Sequence, residues 1–226
     1  MNDFLNMLMP NFEPLKGEFY ECLYQTLIMI AVSGTIAWFL GVALGVTLVV
    51  TKRGGIRPHL MLFTCCDRAI DIIRSVPFII LMVLLIPLSR LIVGTGSGLT
   101  GSFVALVFGT VPFFSRQIEQ VLSDVDSGLI EAAQAMGFSP WEIIFSVYLK
   151  ESVPGITRVT MITFVSFVGI TAIAGAIGAG GLGDFAIRYG YQMGYRDMIW
   201  LTVAVILVMI SIFQFVGSVI IKKNTH

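Results

Sequence analysis

Residues 131–151, EAAQAMGFSPWEIIFSVYLKE, form a polar-punctuated stretch between long apolar runs. The stretch predicts two short helices joined at a sharp angle. The first helix has one apolar face at the spacing i, i+3, i+4, i+7, formed by Leu129, Ala132, Ala133 and Met136. Gly137 follows this face, as expected of the left-handed residue just past a helix end. The sequence therefore places a joint at Gly137.

The second helix begins with strong start signals. Ser139 fits the N-cap, Pro140 the first helical position, and Glu142 the position that completes a capping box. We expect one apolar face on this helix, formed by Trp141, Ile144, Phe145, Tyr148 and Leu149. A helical hairpin of this kind is typical of a docking element, although periodicity alone also allows an interfacial helix pair that only covers a helix bundle.

The composition indicates a membrane protein. Of the 226 residues, 56% are hydrophobic and 12% are charged, whereas soluble domains carry about 25% charged residues. A fraction of charged residues half the usual value, together with long uncharged runs, predicts several membrane spans. The net charge of zero gives no indication of a nucleic-acid partner.

The predicted fold is all-α: a polytopic membrane helix bundle with five transmembrane helices and a cytoplasmic helical hairpin. The spans are expected at residues 23–50, 70–92, 102–118, 158–182 and 198–221, with the hairpin in the loop 124–155. One transmembrane domain covers residues 21–217, and residues 1–20 form an N-terminal extracytoplasmic segment. In the first span, Gly41 and Gly45 form a small-xxx-small patch where another helix could approach closely.

The distribution of basic residues predicts the orientation. Ten Lys and Arg residues lie on the side of the hairpin and the C-terminus, and four (Lys16, Arg90, Arg188 and Arg196) lie on the other. The positive-inside rule therefore places the hairpin and the C-terminus in the cytoplasm and the N-terminus outside. The expected location is the cell membrane, the inner or plasma membrane, with several passes.

One short glycine motif has a structural interpretation here. The spacing Gly178-x-Gly180-x-x-Gly183 matches a dinucleotide fingerprint, but it follows a membrane span and not a strand, so we expect helix packing or a backbone bend. Residues 184–197 read as an aromatic, glycine-containing loop. The chain has no Walker-type phosphate loop, and we therefore expect no cofactor in this chain and any ATP to be used by a partner.

The hairpin resembles the EAA loop of ABC importer permeases. That family has the pattern E-A-A-x3-G-x9-I-x-L-P, and this sequence has Glu131-Ala132-Ala133, Gly137 and then Val147-x-Leu149 at the same spacing. Val147 stands in place of Ile, and Lys150 stands where Pro is usual. In the family, this loop docks into a cleft on a cytoplasmic ATPase. The resemblance thus implies ATPase-coupling roles for Glu131, Ala132, Ala133, Gly137, Ser139, Pro140 and Trp141.

Further motifs resemble the methionine-importer permeases. They are RSVPFIIL at 74–81, IVGT at 92–95, GAIGAGGLG at 175–183 and YGY at 189–191. The resemblance implies a homodimer in the membrane lipid, two ATP-binding subunits that hold ATP and magnesium, an extracytoplasmic substrate-binding protein, and methionine or a related amino acid as substrate. It also implies a translocation pathway along the fourth span, with candidate residues Ile170, Thr171, Ile173 and Gly175.

Two other functions remain open from the sequence. An ion-coupled secondary amino-acid carrier would usually carry an ionisable residue inside a span, and the uncharged runs 23–50, 159–183 and 198–221 have none. Five spans also do not divide into matched repeats. A non-transporting membrane assembly subunit is compatible with the composition.

Overall fold

The computed structural model describes residues 9–224, and all regular secondary structure within that range is helical. The predicted all-α helix bundle is therefore confirmed. Four of the described helices are long and apolar enough to cross a membrane: α1 (Phe12–Thr51), α5 (Gly98–Ser123), α8 (Val153–Ala179) and α10 (Arg196–Asn224). Helix α1 contains a π-helical turn at Ile30–Gly34. It begins within the predicted N-terminal segment 1–20, of which residues 1–8 lie outside the described range.

The second predicted span, 70–92, is not one continuous helix. It consists of α2 (Leu60–Ser75), α3 (Phe78–Leu84) and α4 (Ile86–Val93). The first break has a local cause, because Pro77 pushes the preceding residue out of the helical region, and Val76 has φ −88° and ψ 123°. Pro87 lies in the first turn of α4, where its missing N–H costs nothing. A five-span topology therefore stays a prediction.

Three shorter helices complete the described chain. They are α6 (Ser127–Ala135), α7 (residues 140–151) and α9 (residues 181–192). The prediction of a loop over 184–197 is wrong for its first part, since α9 extends through Gln192. Side chains far away in the sequence support the first turn of this helix, as described below.

The chain divides into two compact units. Unit 1 contains residues 9–35, 77–108 and 164–212, and unit 2 contains residues 36–76, 109–163 and 213–224. Unit 1 has two hydrophobic clusters. One joins the first turns of α1 to α9 and α10 through Phe19, Cys22, Leu182, Phe185, Tyr189 and Met198. The other joins α1, α5 and α8 through Met29, Leu106, Phe167, Ala174 and Ala179.

Unit 2 is built around a close approach of α1 and α5. A Cβ at Gly41 would collide with the Phe114 ring, and one at Gly45 would collide with Ile118 and the Ser115 carbonyl. The predicted small-residue patch therefore packs against another helix of the same chain. The unit 2 core extends from this contact to the hairpin, through Val49, Phe114, Ile118, Leu122, Ala133, Ile143 and Tyr148.

An ion-pair network in unit 2 ties α2 to α5. The half-buried Arg116 guanidinium donates to the carboxylates of Asp67 at 2.5 Å, Asp71 at 2.8 Å and Glu119 at 2.8 Å. Three acceptors use most of the five N–H donors that a guanidinium presents in fixed directions. The network holds the largely exposed helix α2 in place, where few apolar side chains are buried.

Candidate functional site

The hairpin formed by α6 and α7 is built from local hydrogen bonds. Helix α6 is capped by Asp126, whose carboxylate accepts a hydrogen bond from the Gly128 N–H at 2.8 Å. Helix α7 starts with the predicted capping box: the Ser139 hydroxyl accepts from the Glu142 N–H, and the Glu142 carboxylate accepts from the Ser139 N–H at 2.7 Å. These hydrogen bonds lower the pKa of the Glu142 carboxyl. Pro140 occupies the first turn, also as predicted.

The joint between the two helices is a Schellman motif centred on Gly137. Gly137 has φ +82°, which confirms the predicted left-handed conformation. The Phe138 N–H donates to the Ala133 carbonyl at 3.1 Å, and the Gly137 N–H donates to the Gln134 carbonyl at 3.0 Å. The end of α6 is thus fixed by two backbone hydrogen bonds, and the capping box begins two residues later. The angle between the helices is set within five residues.

The predicted apolar face of α6 is mostly not buried. Ala133 alone packs into the unit 2 core, and Leu129, Ala132 and Met136 are exposed. Ile130, which lies outside the expected face, packs partly against the core. Helix α6 therefore contacts the core mainly through Ala133, whose small side chain lets the helix backbone approach the core closely.

The predicted apolar face of α7 divides into two. Residues Ile144–Tyr148 form a π-helical turn, in which each residue advances by less than the α-helical 100°. Ile143, Ile144 and Tyr148 are buried, and burial raises the pKa of the Tyr148 hydroxyl. Trp141 and Phe145 remain 66% and 64% exposed, and their rings stack with centroids 6.4 Å apart. A regular 3.6-residue period does not anticipate this division.

The hairpin consequently presents a row of large apolar side chains to its surroundings. We call this row the apolar rim; it consists of Leu129, Met136, Phe138, Trp141 and Phe145. Glu131 is exposed beside it, in the middle of α6, and its carboxylate has no hydrogen-bond or ion-pair partner among residues 9–224. Several large exposed apolar side chains on one short hairpin indicate a protein interaction site. All of the predicted coupling residues except Ala133 are exposed.

The predicted pathway residues on α8 do not share one face. The Thr171 side chain is buried, and its hydroxyl donates to the Val168 carbonyl at 2.8 Å. Gly175 is buried where a Cβ would meet the backbone of Gly180 and Asp184. Ile170 is partly buried, and only Ile173 is exposed. Val165, Gly169 and Ile173 form the exposed stripe of α8 in unit 1.

The glycine-rich segment after α8 makes a backbone bend, as predicted. Gly178 has φ +97° and Gly180 has φ +82°, so the helix stops and α9 starts in a new direction. Two side chains of α1 support the start of α9: Gln25 accepts from the Gly181 N–H at 2.7 Å, and Thr26 accepts from the Leu182 N–H at 2.8 Å. Sequence reasoning missed both residues. The available signal was that Gln25 is the one amide side chain in the uncharged run 23–50.

Comparison with known proteins agrees with this geometry. Residues 40–222 match the family described as "Binding-protein-dependent transport system inner membrane component". The Vibrio cholerae protein named "Probable D-methionine transport system permease protein MetI" is 42% identical over 203 residues, which cover 90% of each chain. Its Haemophilus influenzae counterpart, which carries the same name, is 36% identical and covers 90% of this chain and 95% of its own.

Solved structures show the same fold. A permease chain of the inward-facing MetNI methionine ABC transporter has a TM-score of 0.90 and 37% identity, and the match covers 95% of this chain and 99% of that one. A second amino-acid ABC transporter, at 20% identity and a TM-score of 0.73, shares the fold. A membrane helix bundle with an EAA-type hairpin, matched over most of its length, places this chain in the family of binding-protein-dependent transport system inner membrane components, the permease subunits of ABC importers.

Proposed function

We propose that two copies of this chain form the membrane pathway of an ABC importer for methionine or a closely related amino acid, and that each α6–α7 hairpin docks onto one ATP-binding subunit. The chain is a permease subunit, and ATP is hydrolysed in a separate subunit. ATP and magnesium bind to that subunit in this proposal, and an extracytoplasmic binding protein delivers the substrate. The surrounding membrane lipid solvates the apolar spans.

The exposed apolar rim of the hairpin carries the proposal for ATPase docking. Trp141 and Phe145 are large, stacked and exposed on a short helix whose Ile143, Ile144 and Tyr148 are buried. Aromatic side chains bury a large area when a partner covers them. The unpaired Glu131 carboxylate beside the rim supplies a charged contact for a basic group of the ATPase.

The packing of unit 2 supports a coupling role for the hairpin. Ala133, Ile143 and Tyr148 share one core with Phe114 and Ile118 of α5. A force applied to the apolar rim therefore reaches a membrane-spanning helix through close-packed side chains and not through a flexible loop. In the proposed mechanism, ATP-driven closure of the two ATPase subunits brings the hairpins together and moves the attached spans from an inward-open to an outward-open arrangement.

The exposed stripe of α8 supports the proposal of a paired pathway. Val165, Gly169 and Ile173 face away from the unit 1 core, and a Cβ at Gly169 would meet no atom within 4 Å. We assign this stripe, with Ile173 from the candidate residues, to the surface that lines the pathway or meets the second copy. Thr171 and Gly175 are buried and do not belong to this exposed stripe.

The similarity to the MetI proteins supports methionine as the substrate class. Methionine permeases commonly have Gly-Tyr-Ser-Ala-Met at the segment where this chain has Gly-Ile-Thr-Ala-Ile, at residues 169–173. The replacement of Tyr and Met by two Ile residues leaves the segment apolar and of similar length. This departure weakens the assignment of methionine, and only Ile173 of the two Ile residues is exposed; the proposed substrate class therefore rests on the similarity to the MetI proteins.

The test of the proposed function is transport by the reconstituted complex. The permease, its ATPase subunits and the binding protein are placed in proteoliposomes, and uptake of labelled methionine is measured with and without ATP. We expect uptake that requires ATP and that decreases when unlabelled methionine is added as a competitor. Uptake that follows an ion gradient without ATP would instead favour the secondary carrier, and no uptake of any amino acid would favour the assembly subunit.

The proposed orientation follows from the basic residues and has a direct test. We propose that the hairpin and the C-terminus lie in the cytoplasm and the N-terminus outside, because ten of the 14 Lys and Arg residues lie on the hairpin side. In a background without the native cysteines, Gln134→Cys should react with a membrane-impermeant maleimide only after the membrane is opened. Ser97→Cys should react in intact cells. Both residues are exposed, and the reverse labelling pattern would contradict the orientation.

Gly137→Val should uncouple the transporter and leave the spans inserted. A β-branched residue forced to positive φ costs about 1–2 kcal/mol or more, and this strain acts on the Schellman motif at the joint. We expect normal membrane levels but weakened capture of the ATPase and reduced uptake. Gly137→Asn is the matched control, since Asn tolerates the left-handed conformation. Equal activity of the Val and Asn variants would show that the left-handed conformation at Gly137 is not needed for coupling.

Glu131→Gln should weaken the contact with the ATPase. Loss of a charge-assisted hydrogen bond at a desolvated interface costs about 1.5–3 kcal/mol, or a 10- to 150-fold loss of affinity. Glu142→Gln is the control, because Gln also completes a capping box while the same charge is removed. The measurement is co-purification with the ATPase and substrate-stimulated ATP hydrolysis. If both variants retain the wild-type affinity and stimulation, Glu131 has no coupling role.

A further inference from the structure

A long apolar groove lies within unit 2, between the second half of α1 and helix α7. Its volume is about 720 Å³. We call it the α1–α7 groove; its lining is mainly aliphatic and aromatic, with Phe39, Val42, Ala43, Val46 and Val50 on α1 and Trp141, Ile144, Phe145 and Leu149 on α7. Among residues 9–224, no acidic side chain lines it.

The two hydroxyl groups in the α1 wall are already satisfied. The Thr47 hydroxyl donates to the Ala43 carbonyl at 2.7 Å, and the Thr51 hydroxyl donates to the Thr47 carbonyl at 2.6 Å. The wall therefore offers no unpaired hydroxyl hydrogen to a ligand, although two threonines belong to it. Along this stretch of a membrane-spanning helix, the groove is suited to a hydrocarbon chain.

One end of the groove is cationic. Arg57 and His59 lie at this end, in the segment that connects α1 to α2. The Arg57 side chain is exposed, and no carboxylate pairs with it in the part of the chain that the structure describes. His59 caps α2 by accepting the Leu62 N–H at its Nδ1 atom, so the proton of the neutral ring is on Nε2. The end of the groove thus offers a guanidinium and an imidazole N–H.

The dimensions of the groove fit a phospholipid. From Phe39 to Thr51 the helix advances by 12 residues, which at about 1.5 Å per residue is roughly 18 Å. That length is similar to an extended acyl chain, and the cationic end lies where the helix leaves its uncharged run. The apolar part of the groove is complementary to a lipid tail, and its basic end is complementary to an anionic headgroup.

We propose that the α1–α7 groove binds one anionic phospholipid, with an acyl chain along α1 and the phosphodiester at Arg57 and His59. This site is additional to the transport function and does not depend on which amino acid is carried. A protein partner that approaches from the aqueous side could cover Trp141, but it would not reach along α1 to Phe39. A bound lipid would pack against the hairpin through Ile144 and Leu149, which line the groove and are not part of the apolar rim.

The test compares the binding of two lipids to the full-length permease in neutral detergent. Native mass spectrometry measures the dissociation constants of phosphatidylglycerol and phosphatidylcholine with identical acyl chains. We expect tighter binding of phosphatidylglycerol, and we expect Arg57→Gln to reduce that preference about fivefold, as for the loss of one basic contact to an anionic headgroup. Arg53→Gln is the control, since Arg53 is exposed on the same segment but does not line the groove.

A second pair of variants tests the hydrocarbon part of the site. Ala43 is exposed in the groove, so Ala43→Phe should fill it without disturbing the core and remove the tightest lipid site. Ala31→Phe, on an exposed position of the same helix outside the groove, should bind lipid as the wild type does. The thermal unfolding of all four variants is measured to confirm that they are folded.

Three results would overturn the proposal. The first is equal affinity for the two lipids in the wild type. The second is unchanged lipid binding in both Arg57→Gln and Ala43→Phe. The third is weakened capture of the ATPase by Ala43→Phe while lipid binding is retained, which would assign the groove to the protein partner.

Discussion

The contact of Gly41 and Gly45 with Phe114 and Ile118 is the constraint on which unit 2 depends. In a bilayer, apolar side chains gain little by leaving lipid, so helices associate through close van der Waals packing. Two glycines at this spacing let the α1 backbone approach α5 to a distance that any Cβ would prevent. The same contact continues into the core that holds the hairpin, through Val49 and Leu122. The hairpin is thereby fixed to two long helices.

A second constraint is that polar groups must find partners inside the chain where water is scarce. The break after α8 would leave the first N–H groups of α9 unpaired, and Gln25 and Thr26 accept two of them. Arg116 is matched by three carboxylates. In α1, Thr47 and Thr51 satisfy their hydroxyls on carbonyls of their own helix. The two N–H groups of α9, the Arg116 guanidinium and the two hydroxyls of α1 are thus all paired within the chain.

These two constraints explain why the hairpin can act as a rigid coupling element. Its joint is fixed by backbone hydrogen bonds around Gly137, and its second helix starts in a capping box at Ser139. Its packed side belongs to the unit 2 core, and its other side presents the apolar rim. A firmly attached element with an exposed, preorganised aromatic surface loses little entropy on binding. That property fits the proposed docking of the hairpin onto the separate subunit that hydrolyses ATP.

The sequence by itself determined the membrane class, the all-α fold, the position of the hairpin joint and its capping box. The membrane class follows from hydropathy, which depends only on the residue types in each run. The caps and the Schellman motif form between residues less than six positions apart, so their pattern is visible in the sequence. The tertiary structure decided which side of each helix is buried. On α7, which contains a π-helical turn at Ile144–Tyr148, Ile144 and Tyr148 are buried while Trp141 and Phe145 are exposed. On α8, Thr171 and Gly175 are buried. Helix α9 exists where a loop was expected because its N–H groups are accepted by side chains 156 residues away, and contacts over that distance leave no local pattern in a single sequence.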